Sequence, residues 1–233
     1  MQQRLINSPS LANCDLLEME HDISLLAEGG VQFFHIDLMD GHYVPNLGFP
    51  MKIISNLKNK YPQAIADVHI MVEHPERYVE PLAKEGADYV SFHIDSTPFV
   101  IRTLQSIRKQ GMKCGVVINP SQRIDLLEPY LDQVDMVTVM SVEPGYAGQQ
   151  FMESALPRLH ELDLMRRNRN LDFLITIDGG INYKNVKPCV VNGANVFVTG
   201  IYTVFNQPDG IVSACKRFEL ELQDGLRSIT RGA

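Results

Sequence analysis

The sequence predicts an α/β fold, a single (β/α)8 barrel, on three observations. Short β-branched runs alternate with stretches of helical period along the chain. Most runs are apolar on both parities, as parallel strands covered on both faces are. Eight such runs in 233 residues leave about 29 per βα unit, the spacing of the smallest barrels. An open doubly wound sheet alternates in the same way and is the second architecture the pattern allows. Eight strands without an antiparallel hairpin favour closure.

The predicted strands are residues 5–8, 33–37, 64–71, 88–93, 113–118, 136–142, 173–178 and 195–199. Four helices are bracketed between them. The first, 15–27, opens after a polar residue and runs into Gly29-Gly30; the second, 75–84, opens on proline and stops at Gly86. The third, 98–110, also opens on proline and stops at Gly111; the fourth, 182–191, stops at Asn192-Gly193. Proline at the start and glycine past the end is the asymmetry of real helix boundaries. The chain also repeats itself. Phe34-His35-Ile36-Asp37 returns as Phe92-His93-Ile94-Asp95, and Gly86-Ala87-Asp88 returns as Gly193-Ala194-Asn195. No linker or low-complexity run divides the sequence, so residues 1–233 are expected to form one domain.

Composition narrows the classes. Apolar residues make up 45% and charged residues 21%, which is globular. Twenty-eight acids against 21 bases give a net charge of −7, which argues against a nucleic-acid partner. No apolar run approaches the ~20 residues that span a bilayer, so no membrane partner is expected. The opening Met1-Gln2-Gln3-Arg4-Leu5-Ile6-Asn7 turns polar at once, unlike a secretory leader. Cys14, Cys114, Cys189 and Cys215 are far apart, with no C-x-x-C pair. They read as reduced thiols of a cytoplasmic protein.

In this fold, active sites form at the C-terminal ends of the strands and in the loops that follow. Strand two ends in His35-Ile36-Asp37, whose His and Asp share one face. Strand three ends in Asp67-Val68-His69-Ile70-Met71, and strand seven in Thr176-Ile177-Asp178-Gly179-Gly180. Two imidazoles and two carboxylates, His35, Asp37, His69 and Asp178, make an N2O2 set for a divalent metal or an acid/base site. Rim residues that merely hydrogen-bond are the plainer reading of any one of them. Asp178, however, sits in an apolar strand, where an unpaired charge is costly. His93 and Asp95 look like a second pair but stay outside the set, since the repeated motif is equally explained by barrel architecture.

Glycines supply the second signal. The loop Gly145-Tyr146-Ala147-Gly148 follows strand six, Gly179-Gly180 follows strand seven, and Gly200-Ile201 follows strand eight. Glycine lets backbone N–H groups approach a ligand closely, and the loops after strands seven and eight are the common phosphate corner of this fold. Turn chemistry explains any one of these glycines; three adjacent loops favour phosphate. Met39, Met71 and Met140 end strands beside the polar groups, either as core fillers or as an apolar floor under a small substrate.

These residues together resemble the ribulose-phosphate 3-epimerase family. The resemblance runs from about Ser8 to Phe205. It rests on Ser8-Pro9-Ser10, the stretch from His35 through Val44-Pro45-Asn46, the stretch from Asp67 to Met71, the stretch from Val139 to Gln149, and Ile177-Asp178-Gly179-Gly180-Ile181. The resemblance implies a metal-dependent epimerisation at carbon 3 of a ketose phosphate through an enediolate. Asp37 and Asp178 would be the acid/base pair, and both would ligate the metal with His35 and His69. Zinc is the first choice of metal, with iron, manganese or cobalt as alternatives. Ser10, His69, Met39, Met71 and Met140 would contact the substrate; Gly145, Tyr146, Ala147, Gly148, Gly179, Gly180, Gly200 and Ile201 would hold its phosphate. The partner implied is a sugar phosphate, and such chains commonly form homo-oligomers, with Tyr43 or Phe49 at the rim as contact residues.

The sequence departs from the family pattern at the substrate's ends. Ile201-Tyr202 stand where serine usually follows the glycine, and the segment from Gly200 to Phe205 is one residue longer than usual. That spacing looks more like the allulose-6-phosphate 3-epimerase branch. Ser121-Gln122-Arg123 and Leu47-Gly48-Phe49-Pro50 also differ from the usual pattern. The alternatives are therefore a six-carbon substrate, a lyase that shares an enediolate, or a phosphosugar-binding relative with weak catalysis.

Overall fold

The computed structural model describes residues 5–232; the first four residues of the polar start, Met1-Gln2-Gln3-Arg4, lie outside the described residues, as does Ala233. The elements run β1 Ile6–Pro9, α1 Met19–Glu28, β2 Phe33–Met39, α2 Lys52–Lys60, β3 Ile65–Met71, α3 Val79–Glu85, β4 Tyr89–His93, α4 Val100–Lys109, β5 Lys113–Ile118, β6 Met136–Met140, α5 Ala155–Asn168, β7 Leu174–Asp178, α6 Val186–Val191, β8 Val196–Thr199 and α7 Gly210–Gly232. All eight strands are parallel and lie in the order β1-β8-β7-β6-β5-β4-β3-β2. The two edges of this sheet meet through a parallel bridge between Ser10 and His35. The sheet is closed into a barrel, and the open doubly wound alternative is excluded.

Alternation along the strands explains where the core and the polar groups go. Outward residues such as Phe34, Ile36, Val68, Ile70, Phe92, Val116, Ile177 and Phe197 are buried in one large apolar cluster with the helices. Inward residues form layers. At the N-terminal end of the barrel Ile6, Phe33, Met136 and Val196 pack together with Ile65, Tyr89 and Leu174. Two residues further along the same parity come Ser8, His35, Asp67, Ser91 and Thr176, all buried. Two further still lie Ser10, Asp37, His69, His93, Met140 and Asp178 at the C-terminal mouth. The strands are thus apolar on both parities only in their first half. Where the inward parity turns polar, the interior becomes a site.

The repeated Gly-Ala-Asp/Asn has a structural meaning. Gly86 (φ 90°) and Gly193 (φ 100°) end helices in the left-handed region, which glycine adopts without Cβ strain. The polar residue two positions on then accepts a backbone N–H from the preceding strand. Asp88 accepts from Ala66 N at 2.8 Å and Asn195 accepts from Ile175 N at 3.1 Å. A basic side chain from the helix outside closes each contact: Lys58 to Asp88 at 2.8 Å, Arg166 to Asn195 at 2.6 Å. Asp135 repeats the device without the glycine motif, taking Cys114 N at 3.0 Å and Arg108 at 3.2 Å. These contacts fix the register at which helices return to the barrel.

Helix boundaries differ from expectation for local reasons. Residues 15–18 are not helical, because the Asp15 carboxylate accepts from Leu17 N at 2.9 Å and so closes a turn of its own. The stretch 75–84 is broken at Tyr78, since Pro81 has no N–H to donate to Arg77 four residues earlier. Likewise α6 starts at Val186, because Asn182 and Asn185 side chains satisfy the turn before it, accepting from Lys184 N and Asn182 N at 2.9 Å each. Three helices, α2, α5 and α7, were not anticipated. Apolar residues fall all round α5, with Leu159 and Leu162 buried and Leu164 42% exposed, so its period is hidden. The unit between β5 and β6 has only a 3-10 turn, Ile124–Leu127, where Pro129 ends helical hydrogen bonding. All four cysteines are free and buried. No described helix is long and apolar enough to cross a membrane.

Candidate active site

The register of β2 on β3 places His35 opposite Asp67 and Asp37 opposite His69. Asp178, at the end of β7, completes the group from across the mouth, with β8 and β1 between it and β2. His35 Nε2 lies 3.4 Å from Asp37 Oδ1 and 3.7 Å from Asp178 Oδ2. His69 Nδ1 lies 3.6 Å and 3.5 Å from the same two oxygens. Four side chains thus converge with their ligating atoms within 4.8 Å of one another.

Each imidazole is held from behind. His35 Nδ1 donates to Asp67 Oδ2 at 2.8 Å, since a carboxylate accepts only. His69 Nε2 meets His93 Nε2 at 2.9 Å. The nitrogens facing the centre, His35 Nε2 and His69 Nδ1, are buried and have no hydrogen-bond partner. Orphaned buried polar atoms are costly, and two aimed at a pair of carboxylates fit a cation bound between them. The two His and two Asp form a group that could hold a metal ion.

Electrostatics agree with this reading. Burial disfavours the charged imidazolium of His35, but the carboxylates of Asp37 and Asp67 outweigh it and hold its pKa well above the usual histidine range. His69 behaves alike: burial opposes charge, while hydrogen bonding and charge from Asp178 and Asp37 raise its pKa. Burial also opposes ionisation of Asp37, yet His35 and His69 drive its pKa far below the usual carboxylate range. The site is therefore built to balance two negative side chains with positive charge. For His93, burial and then the proximity of His69 push the pKa well below normal, leaving a neutral ring.

Above this group lies a cleft of about 100 Å³. Its walls contain Ser10, Asp37, Met39, His69, Met71, Met140, Gly145, Tyr146, Ala147, Gly148, Asp178, Gly179, Gly180, Gly200 and Ile201, the residues singled out from the sequence apart from His35. His35 sits beneath the floor, 2% exposed. Ser10 donates to Asp37 Oδ2 at 2.6 Å and so orients that carboxylate. Met71 and Met140 are buried beside the carboxylates, forming a soft apolar surround.

The glycine loops meet at one end of the cleft. Gly180 has φ 63°, and a Cβ there would stand 2.4 Å from the backbone nitrogen of Phe151, so the loops after β6 and β7 touch only because this residue has no side chain. Among the described residues, none of the N–H groups of Ala147, Gly148, Gly180 and Gly200 donates to another protein group. Among the described residues, no lysine or arginine lines the cleft. An anion here would be met by backbone N–H groups alone.

Several contributors were not anticipated. Asp67 stands outside the candidate set, though an acid two residues before His69 on an apolar strand is the signal of an imidazole orienter. Asn13 and Thr199 also line the cleft. Tyr202 donates to Gly148 O at 2.6 Å and ties the loop after β8 to the loop after β6. Asn46 and Tyr146 tether the latter loop further, at Gly145 O (2.8 Å) and Pro45 O (2.6 Å). Tyr43 and Phe49 are half-buried at the rim. The Tyr43 hydroxyl donates to Asp95 at 2.8 Å, and Phe49 packs on the core. Asp95 lies beyond the end of β4, so the second Phe-His-Ile-Asp does not rebuild the first one's site.

Comparison with known proteins places this geometry. The model of the ribulose-phosphate 3 epimerase family matches residues 6–205. The ribulose-phosphate 3-epimerase of Bacillus subtilis (strain 168) is 39% identical over 204 residues, 87% of this chain and 93% of the relative. That of Escherichia coli (strain K12) is 35% identical over 209 residues, 90% of this chain and 92% of the relative. Among solved structures, KGPDC from Streptococcus mutans superposes with a TM-score of 0.69 at 16% identity, over 95% of this chain and 99% of that one, a likeness of fold. The chain belongs to the ribulose-phosphate 3-epimerase family.

Proposed function

We propose that this chain interconverts D-ribulose 5-phosphate and D-xylulose 5-phosphate by moving the proton on carbon 3. The observation that carries the reading is the juxtaposition of two carboxylates, from β2 and β7, with two buried orphaned imidazole nitrogens beneath a cleft that ends in free backbone N–H groups. Epimerisation removes a proton from one face of carbon 3 and returns one to the other, so it needs an acid/base group on each side of a planar enediolate. Asp37 and Asp178 take these roles. Ser10 fixes Asp37 by its 2.6 Å hydrogen bond. Met39, Met71 and Met140 exclude water around the reacting carbons, and the glycine loops hold the phosphate through N–H groups.

His35, Asp37, His69 and Asp178 would hold a divalent metal, zinc first, with iron, manganese or cobalt as alternatives. Such an ion, when bound, supplies Lewis-acid stabilisation of the negative charge on the enediolate oxygens. Asp67 keeps His35 oriented with Nε2 toward the centre. Asp67→Asn is expected to raise the Kd for Zn2+ by about 10- to 100-fold, measured by competition with a chromogenic chelator. An unchanged Kd would show that the orienting carboxylate is dispensable.

The substrate's length is read from the phosphate end. The extra residue between Gly200 and Phe205 supports a second reading, the six-carbon D-allulose 6-phosphate. Side-by-side kcat/KM on metal-reconstituted protein separates the two. The expected result is a clear preference for ribulose 5-phosphate, and preference for the six-carbon substrate would reverse the assignment. The reading extends to a homo-oligomer in the cytoplasm. Leu17 and Leu47, 93% and 76% exposed, support association, and four buried thiols support a reducing compartment.

A further inference from the structure

The groups left unused by the reaction form one connected set beside His69: His93, Asn119, Tyr43 and Asp95. We infer that His93 is a positioning residue, which accepts the Nε2 proton of His69 and so leaves Nδ1 of His69 bare toward the metal. The inference rests on the reading that the two His and two Asp hold a metal.

The directions of the outer hydrogen bonds follow from Asp95. The Asp95 carboxylate accepts only, so Tyr43 donates its hydroxyl to Oδ1 at 2.8 Å. Asn119 Nδ2 donates to Tyr43 Oη at 2.8 Å and to Asp95 Oδ2 at 3.3 Å. With its amide nitrogen committed outward, Asn119 presents Oδ1 inward, and this oxygen is buried with no hydrogen-bond partner. His93 Nδ1 is likewise buried without a hydrogen-bond partner. A His69 that offers Nδ1 to a metal keeps its proton on Nε2, so the lone pair of the ring-to-ring contact belongs to His93 Nε2. The nitrogen 2.9 Å away, His69 Nε2, must then be the donor. A neutral His69 that carries its proton on Nε2 has its lone pair on Nδ1, the atom aimed at Asp37 and Asp178.

Packing keeps this arrangement. The His93 ring is wholly buried, with its centroid 5.0 Å from that of His69 and 4.7 Å from that of Tyr43. Asn119 itself is pinned because Arg158 donates to its backbone oxygen at 2.7 Å and to Met140 O at 2.9 Å. The two metal-side imidazoles are therefore backed differently: His35 by the Asp67 carboxylate, His69 by the His93 ring.

The test uses the full-length chain and Zn2+ in competition with a chelator of known affinity. His93→Leu, which removes the acceptor, is expected to raise the Zn2+ Kd by about 10- to 100-fold. His93→Gln, whose side-chain oxygen can accept the same proton, is expected to recover most of that loss. In the Zn2+-loaded wild type, nitrogen NMR is expected to show the proton on His69 Nε2 with a through-hydrogen-bond coupling to His93 Nε2. A wild-type Kd in both variants overturns the inference, as does a Zn2+-loaded His69 that carries its proton on Nδ1. Those outcomes leave the metal reading intact. Failure of the wild type to bind Zn2+ at all instead overturns the metal reading, and with it this inference.

Discussion

Asp178→Asn is expected to lower kcat for epimerisation by about 1,000-fold or more, in both directions, with the fold intact. Asparagine keeps the volume and the carbonyl oxygen but accepts no proton at neutral pH. General acid–base groups contribute roughly 100- to 10,000-fold each. Here the same residue also supplies one of the four converging ligand atoms, so two contributions fall together. The backbone is insulated from the change. The main-chain oxygen of Asp178 accepts from Ser141 N and from Ser141 Oγ, both at 2.8 Å, and neither bond involves the carboxylate. Equal thermal unfolding of the metal-free variant and the metal-free wild type, beside the kinetic loss, would confirm a chemical effect. Near-normal turnover would remove Asp178 from the reaction.

The second large effect is expected from metal removal. Exhaustive chelation should lower kcat by about 1,000-fold or more, because the charge on the enediolate then lacks several kcal/mol of stabilisation and each 1.36 kcal/mol is tenfold in rate. Stability should fall as well. The two orphaned imidazole nitrogens and Asp37 are buried, and Asp178 is partly buried, where side chains from β2, β3 and β7 converge. Metal at 100 times its Kd stabilises a chain that binds it only when folded by about 2.7 kcal/mol. For a chain of this size that is roughly 5–10 °C in Tm. Calorimetry with chelator and with added Zn2+ measures it. A Tm and a kcat that ignore both treatments would contradict the metal reading.

Strand positions and chemistry were legible in the sequence for the same reason. Strand period is two, so His35 and Asp37, or Asp67 and His69, must share a face, and the outward parity stays apolar. The glycine loops were legible because positive φ and close backbone approach exclude other residues, as Gly180 against Phe151 shows. Helix starts were not, because Asp15, Asn182 and Asn185 satisfy local N–H groups in turns that look like helix caps in the sequence. The supporting shell was hidden for a different reason. Whether Asp67 backs His35, or His93 backs His69, depends on cross-strand register and ring orientation, which no single segment encodes. The role of Tyr202 was likewise invisible. It reads as the loss of a serine, whereas in the fold its hydroxyl joins two loops more than fifty residues apart in sequence.

The central claim, two aspartates acting on opposite faces of carbon 3, is tested most directly by running the wild-type reaction in D2O and stopping it early. With Asp37 and Asp178 as separate acid and base, the product should carry solvent deuterium at carbon 3 from the first turnover, with none of the substrate's own proton returned. Product that retains the substrate proton at carbon 3 would show one group serving both faces and would contradict the two-aspartate account.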